Sequence, residues 1–310
     1  MRFMTNTRSH EIVTPALRFT EKSVGRFSLG IITLDNPRAL NALNFAMLRA
    51  MRDQLLQWRD QEAIACIVLQ AASDRAFCAG GDVKAVMTLL RGDGKMAAAC
   101  EYFTMEYFLD YLIHVYPKPI LCWADGIAMG GGIGIMNGAS YRVVTERSIL
   151  AMPEIAIGLY PDVGATYFLS RMPTAVGLFL GLTGARFDGW DAVAIGLADG
   201  LIPSHKKHQI LAGLTRLSWT TDAHDNKQTL RNYLRSAAEP EAARKSHLLQ
   251  RLSELKSLTL KPRLEEIDAA FRAWSGSDEW IKGALQGYAA GSPTSAKTIF
   301  EQLKRGKELS

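Results

Sequence analysis

Short, strongly apolar runs recur along the first two-thirds of this chain and then stop, and that change limits the folds open to it. Residues 27–34, 64–69, 119–123, 141–144 and 149–152 are such runs, rich in Ile, Leu and Val. Runs of this length bounded by polar residues or glycine read as buried strands. Gly25 precedes the first, and Asp35-Asn36-Pro37 ends it. Between the runs lie helical patterns. Met47, Met51, Leu55 and Trp58 recur at helical spacing, so residues 44–59 form an amphipathic helix whose Met/Trp stripe is core packing. Residues 71–81 read as a loop, with Asp82 able to cap a following helix. Residues 130–137 read as a short helix opened by glycine, and from Asp162 onward the pattern turns helical. Strands alternating with helices to about residue 200 favour an α/β fold. Beyond His205 strand signals fade. Helical periodicity carries on to the end, with breaks at 222–226, 261–262, 275–277 and 291–293, and with Leu248, Leu252 and Leu255 on one stripe. The expected organisation is a core over residues 1–204 and a helical region over 205–310, packed on the core or on a neighbouring subunit.

Composition narrows the function. Of 310 residues, 22% are charged and the formal net charge is +5, values ordinary for a globular protein. The positive balance serves solubility or attracts an anionic ligand. No basic run with interleaved aromatics is present, so nucleic acid is not an expected partner. No apolar run approaches a membrane span. The first ten residues are basic and acid-free without the apolar centre of a secretory signal; a short transit peptide is conceivable there. Cys66, Cys78, Cys100 and Cys122 form no CxxC pair and read as reduced, buried thiols of a cytosol-like compartment. His205 and His208 flank two lysines, a pattern of a solvated helix face, and no metal site is expected.

Two carboxylates point to chemistry. Glu154 and Asp162 stand eight residues apart in an otherwise apolar run over 149–164. Acids in apolar surroundings are costly unless paired or put to use. Two glycine sites accompany them: Ala76-Phe77-Cys78-Ala79-Gly80-Gly81-Asp82, and Gly126-Ile127-Ala128-Met129-Gly130-Gly131-Gly132. Each sets glycine ahead of a helix, where backbone N–H groups are unpaired and no side chain blocks approach. If both loops face one pocket, two N–H groups can grip one oxygen. Taken singly, each loop is equally a tight turn, Asp162 an N-cap, Glu154 a first-turn helix residue, Glu106 a solvated helix acid and Arg38 a solvated loop cation. A dinucleotide fingerprint starting at Gly132 fails at Asn137, and neither a phosphate loop nor a G-x-S-x-G elbow occurs.

These residues resemble the crotonase (enoyl-CoA hydratase/isomerase) superfamily. The likeness runs from Asn36-Pro37-Arg38-Ala39-Leu40-Asn41-Ala42-Leu43 through 76–82 and 126–132 to 152–164. Within the superfamily it is most similar to the 3-hydroxyisobutyryl-CoA hydrolase branch. That likeness rests on Phe77–Asp82, on Glu106-Tyr107 ahead of Tyr116-Pro117-Lys118-Pro119, on Thr145-Glu146-Arg147, and on Met152-Pro153-Glu154 followed by Pro161-Asp162-Val163-Gly164. The resemblance implies a spiral of ββα turns that binds acyl-CoA, with a C-terminal helical region. It implies oxyanion donors at the amides of Gly81 and Gly131, beside Gly80. Glu154 would be the catalytic glutamate and Asp162 the aspartate of the hydrolases. Glu106 would contact substrate, and Arg38 with the Ala39–Leu40 backbone would hold the nucleotide end of CoA. Further implications are a homo-oligomer (trimer or hexamer), no metal, no cofactor beyond the CoA of the substrate, and a place in valine catabolism. The location would be cytoplasmic, or the mitochondrial matrix in a eukaryote.

Hydratases carry a second glutamate where this chain has Gly134, and water addition to a double bond needs two acid/base groups. The expected reaction is therefore hydrolysis of a short β-hydroxyacyl-CoA thioester such as 3-hydroxyisobutyryl-CoA. The alternatives are an enoyl-CoA isomerase or hydratase type of activity, or a non-catalytic acyl-CoA-binding protein. Hydrolases of this kind continue well beyond the Ser292-Pro293-Thr294-Ser295 segment, whereas this sequence stops at Ser310. A shortened helical region with exposed apolar surface near the C-terminus is the expectation.

Overall fold

The computed structural model describes residues 9–14, 16–89 and 95–308. The basic start of the chain read above lies outside the described residues, apart from its last positions. Chain order gives β1 (Ser9–Thr14), β2 (Leu17–Val24), β3 (Phe27–Leu34), α1 (Phe45–Arg59), β4 (Ile64–Ala71), β5 (Ala76–Cys78), α2 (Val83–Leu89) and α3 (Lys95–His114). Then follow β6 (Ile120–Ala124), β7 (Ile127–Met129), α4 (Gly131–Asn137), β8 (Tyr141–Val144), β9 (Ile149–Ala151), α5 (Ala165–Arg171), α6 (Val176–Thr183), β10 (Phe187–Asp188), α7 (Gly189–Ala194) and β11 (Gly200–Leu201).

Two sheets form. The larger has the order β1-β2-β3-β4-β6-β8-β11, and the smaller β10-β9-β7-β5. The chain visits both in each turn: β4 then β5, β6 then β7, β8 then β9, each pair followed by helix. The pairs β3-β4-β6-β8-β11 and β5-β7-β9 are parallel, as a spiral of ββα turns requires, whereas β1-β2-β3 is an antiparallel meander. The segment read as a loop over 71–81 contains β5, a three-residue strand too short to show a period. The hairpin of β1 and β2 also escaped the sequence reading; in β2 the apolar alternation of Leu17 and Phe19 ends at the adjacent charged pair Glu21 and Lys22.

Sheet residues alternate between two cores. Ile67, Leu69 and Cys122 face the helices around the glycine loops, whereas Cys66, Val68, Leu121 and Trp123 face a second layer. That layer comes from α8 (Lys207–Leu214) and α9 (Ala223–Ala237) through Leu214, Leu230 and Leu234. In the rest of the helical region α10 (His247–Gln250) packs on α7 and α12 (Leu264–Ala273) on α11 (Leu252–Thr259), while α11, α13 (Glu279–Ala290) and α14 (Pro293–Gly306) pack on α6, α14 also on α5, and α13 also on the segment Glu154–Ile157. Its breaks follow ordinary capping chemistry. Asp222 accepts from Asp225 N at the start of α9, and Ser292 accepts from Ser295 N with Pro293 in the first turn of α14. Leu248 belongs to α10 and not to the stripe of Leu252 and Leu255, since Arg251 separates the two helices. Cys66, Cys78 and Cys122 are buried, but Cys100 is exposed, contrary to expectation, because it lies on the outer side of α3.

Candidate active site

The segment 36–43 runs beside the first glycine loop. Leu43 N donates to Gly80 O at 2.8 Å, Asp82 N donates to Leu43 O at 2.8 Å, and Ala79 N donates to Leu40 O at 3.0 Å. Buried Asn41 fastens the segment, its side-chain amide donating to the carbonyls of Ala76 and Phe77 at 2.9 and 3.1 Å. This bridge uses the amides of Ala79 and Asp82 and the carbonyl of Gly80, Gly80 N donates to Cys78 Sγ at 3.5 Å, and the Gly81 amide has no turn or ladder bond among the described residues. The amide of Gly131 opens α4, and its neighbour Gly130 is spent on Ala151 O. Gly80 and Gly130 have φ of 104° and 49°, conformations suited to glycine. The two loops meet. A Cβ placed on Gly131 would lie 3.4 Å from Gly81 N and would collide with Glu106 Oε1. On Gly81 it would lie 2.7 Å from the Tyr102 hydroxyl. A side chain at either position would therefore force Tyr102 or Glu106 to move.

Three acids gather at this meeting point. Glu154 begins a 3-10 turn, Glu154–Ile157, after Pro153. Its Oε1 would stand 2.8 Å from a Cβ on Gly130, and its Oε2 is buried without a partner. Glu106, on the inner face of α3, is 3% exposed with Oε1 unpartnered, so it is not a solvated helix acid. Asp162 accepts a 2.6 Å hydrogen bond from the Tyr107 hydroxyl. The N-cap position of α5 is Gly164, and the Asp162 side chain turns to the site. The next residue, Val163, sits at φ 41°, a strained conformation for a β-branched side chain. Gly134 leaves room for it: a Cβ on Gly134 would be 2.6 Å from Val163 Cβ.

One cavity of about 470 Å³ is lined by Gly80, Gly81, Glu106, Gly131, Glu154 and Asp162, with an apolar wall from Val83, Val86, Met87 and Phe103. Burial is the main electrostatic fact. It pushes Glu154 up to about 8, reinforced by Asp162 and Glu106, and Glu106 up to about 8, reinforced by Asp162. Asp162 is raised by burial and partly restored by the Tyr107 hydrogen bond. Burial also pushes the Cys78 thiol up to about 12, so it is an inert packing group. Arg38 and Ala39, exposed on a 3-10 turn, and Leu40 adjoin the first glycine loop without lining the cavity. The signature residues Glu146 and Arg147 are clamps. Glu146 accepts from Ser204, and Arg147 pairs with Asp125 and Asp74.

Sequence reasoning missed Asp110. It lies one helical turn after Glu106, and that spacing was the available signal. Its two carboxyl oxygens would stand 3.0 and 3.1 Å from a Cβ on Gly134. The place where a side chain at 134 would grow is thus filled by an acid delivered from α3.

Two sheets wound from ββα turns, with helix-opening glycines that meet beside a buried glutamate, define a crotonase fold. The chain belongs to the enoyl-CoA hydratase/isomerase family, whose pattern it matches over residues 29–310. It is similar to 3-hydroxyisobutyryl-CoA hydrolase 1 of Arabidopsis thaliana (35% identity, covering 90% of this chain and 73% of the relative). It is likewise similar to the mitochondrial 3-hydroxyisobutyryl-CoA hydrolase of Xenopus tropicalis (36%, covering 91% and 71%). Among solved structures, a carnitinyl-CoA dehydratase from Mycobacterium thermoresistibile superposes with a TM-score of 0.80 at 32% identity, over 97% of this chain and 80% of that one.

Proposed function

We propose that this protein hydrolyses a short β-hydroxyacyl-CoA thioester, of the 3-hydroxyisobutyryl-CoA kind, to the free acid and CoA. The observation that carries the reading is the convergence of the unused Gly81 and Gly131 amides with Glu154 in one cavity. The thioester oxygen accepts from both amides. Negative charge that develops there is stabilised more than the ground-state carbonyl, which lowers the barrier. Glu154, as carboxylate, takes a proton from water as the water oxygen bonds to the carbonyl carbon. By the other route its own oxygen attacks, and water then opens the mixed anhydride. In the first route the C–S bond breaks and the leaving sulfur takes the proton that Glu154 removed from water; in the second the C–S bond breaks to leave the mixed anhydride and CoA thiolate, and the water that opens the anhydride supplies the proton the sulfur takes up. A base poised near neutrality suits this task, and burial tunes Glu154 towards it. Glu106 and Asp162 orient the β-hydroxyl. Arg38 and the Ala39–Leu40 backbone hold the nucleotide end of CoA. No cofactor beyond that CoA enters the scheme. Gly134 with Val163 packed against it leaves out the second hydratase glutamate, which favours hydrolysis over hydration. The names of the two hydrolase relatives support the same choice, and in a eukaryote the Xenopus name favours the mitochondrial matrix. A trimer or hexamer is part of the proposal, to be read as the solution mass over 34.1 kDa.

A second reading, lyase or hydratase chemistry, takes support from the name of the Mycobacterium relative. One assay separates the readings. The protein is incubated with 3-hydroxyisobutyryl-CoA, 3-hydroxypropionyl-CoA and crotonyl-CoA while free thiol and double-bond absorbance are followed. Thiol release from the hydroxyacyl esters is expected. Faster conversion of crotonyl-CoA without thiol release would move the assignment to the second reading. Tight CoA binding without turnover would make it a binding protein.

A further inference from the structure

Another cavity, about 550 Å³, lies between α5, α9 and the start of β8, and it shares no lining residue with the one that holds Glu154. His114, Arg142, Arg171, Lys227 and Arg231 line it, and among the described residues no Asp or Glu does. Arg142 is neutralised by Asp199, Nε donating to Oδ2 at 2.7 Å and Nη2 to Oδ1 at 3.0 Å. Asp199 is thereby spent, since its Oδ2 also accepts from Arg142 N at 2.8 Å. Lys227 and Arg231 have no acid partner among the described residues. They belong to a stripe that works against its own helix. Asn226, Leu230 and Leu234 are the buried face of α9, and one position on, Lys227, Arg231 and Arg235 repeat at a spacing of four. Like charges at that spacing repel, and neither Lys227 nor Arg231 has an acid three or four residues away to relieve it. An anion seated between them removes that cost. Phosphate suits both, as the guanidinium fork takes two of its oxygens and the lysine meets it as a point charge. The opposite wall is of another kind. The Arg171 guanidinium lies over the Tyr167 ring, 3.6 Å from its centroid, and both residues line the cavity. A guanidinium fixed in this way is a flat surface on which a nucleobase stacks. Phe168, Ile195 and Leu197 add apolar surface beside it. The volume falls within the roughly 300–1,000 Å³ of small-molecule sites.

We infer that this cavity is a separate binding site for a nucleoside di- or triphosphate, with the phosphates on Lys227 and Arg231 and the base against Arg171 and the apolar wall. The site stands apart from the proposed thioesterase chemistry and does not depend on it. Arg38, Ala39 and Leu40, assigned above to the nucleotide end of CoA, do not line it.

The test is isothermal titration calorimetry of the full chain with ATP, tripolyphosphate, AMP and CoA, on the parent and on Lys227→Gln/Arg231→Gln. Both positions are exposed on a helix surface, and glutamine is a good helix former, so the variant keeps the fold. ATP should bind the parent about tenfold or more tighter than AMP, and severalfold tighter than tripolyphosphate, which lacks the base. The double variant should lose about tenfold or more in ATP affinity, while its melting temperature without ligand is equal or higher because a repulsion has been removed. Its affinity for CoA should equal the parent's. No binding of ATP to the parent overturns the inference. So does ATP affinity unchanged in the variant, which would put the nucleotide elsewhere on the chain. A parallel loss of CoA affinity would make the cavity part of the CoA site and overturn its separateness. Tripolyphosphate binding as tightly as ATP overturns the assignment of the base to the Arg171 wall. A short single-stranded RNA that binds about tenfold tighter than ATP and loses its hold in the same variant overturns the small-ligand assignment in favour of nucleic acid.

Discussion

Glu154 and Glu106 are buried acids, each with a carboxyl oxygen that has no hydrogen-bond partner among the described residues, and the energetic consequences reach beyond the site. Each has its pKa lifted from 4.5 to about 8, chiefly by burial. Between those values the folded chain keeps protons that the unfolded chain has released. Stability contributed by these groups is therefore full below about pH 4.5 and falls as pH rises through about 8. The double variant Glu106→Gln/Glu154→Gln should show a smaller loss of urea midpoint between pH 5.5 and pH 8.5 than the parent protein. Identical losses would mean that the two acids are not buried as described. On the proposed chemistry Glu154 also sets the rate. Glu154→Gln should lower thiol release by about 10²–10⁴-fold, the usual worth of a general base. In the parent protein kcat/KM should climb roughly tenfold per pH unit below about 8, where the free enzyme's base must lose its proton. A flat profile with full activity in the glutamine variant would remove Glu154 from the chemistry.

Helix α4 and strand β5 fix where the two amides stand. Gly132 is the contact: a Cβ there would collide with Cys78 O, a backbone atom that cannot swing aside. Gly132→Ala should push α4 off β5 and move the Gly131 amide. We expect a loss of thiol release of about 10²-fold or more, the scale of one lost oxyanion donor, with far-UV circular dichroism retained. Unchanged activity would show that the pairing of the amides is not what matters. The same elements show what a sequence can reveal. The runs at 64–69, 119–123, 141–144 and 149–152 became β4, β6, β8 and β9 because a strand buried on both faces is written as an unbroken apolar run. Gly80, Gly81, Gly131, Glu154 and Asp162 stood out as residue types unusual in their surroundings, Glu106 only through the family resemblance, and all six line one cavity. Arg38–Leu40 lie along the neighbouring segment, because three hydrogen bonds tie 40–43 to the glycine loop without turning those side chains inward. Asp110 was legible only as an acid one helical turn after Glu106. Its burial depends on Gly134 and Val163 from two other elements, and no local pattern announces that an acid on α3 has lost its solvent.

The two faces of the larger sheet and the C-terminal helices bind the chain into a continuous interior. Ile299 and Leu303 of α14 are buried in the same cluster as Leu150, Met152 and Ile155, which adjoin Glu154. Ser292 N also donates to Ile155 O. The helical region therefore helps to hold the turn that carries Glu154. Ile299→Ala, at a position with no exposure, should cost about 2–5 kcal/mol, and tryptophan fluorescence and far-UV circular dichroism should shift together. A shift in one signal alone would show that the helices melt apart from the core. The exposed apolar surface expected near the C-terminus is not found: among the described residues no large exposed apolar side chain follows Leu260, and more of them lie on and just after α3, at Tyr107, Phe108, Tyr111 and Val115. The account's central claim is geometric: two loop amides grip one thioester oxygen beside Glu154. A crystal structure of Glu154→Gln with 3-hydroxyisobutyryl-CoA bound tests it directly. The carbonyl oxygen should lie about 2.7–3.1 Å from the nitrogens of both Gly81 and Gly131. A thioester bound with that oxygen facing solvent or any other donor pair would contradict it.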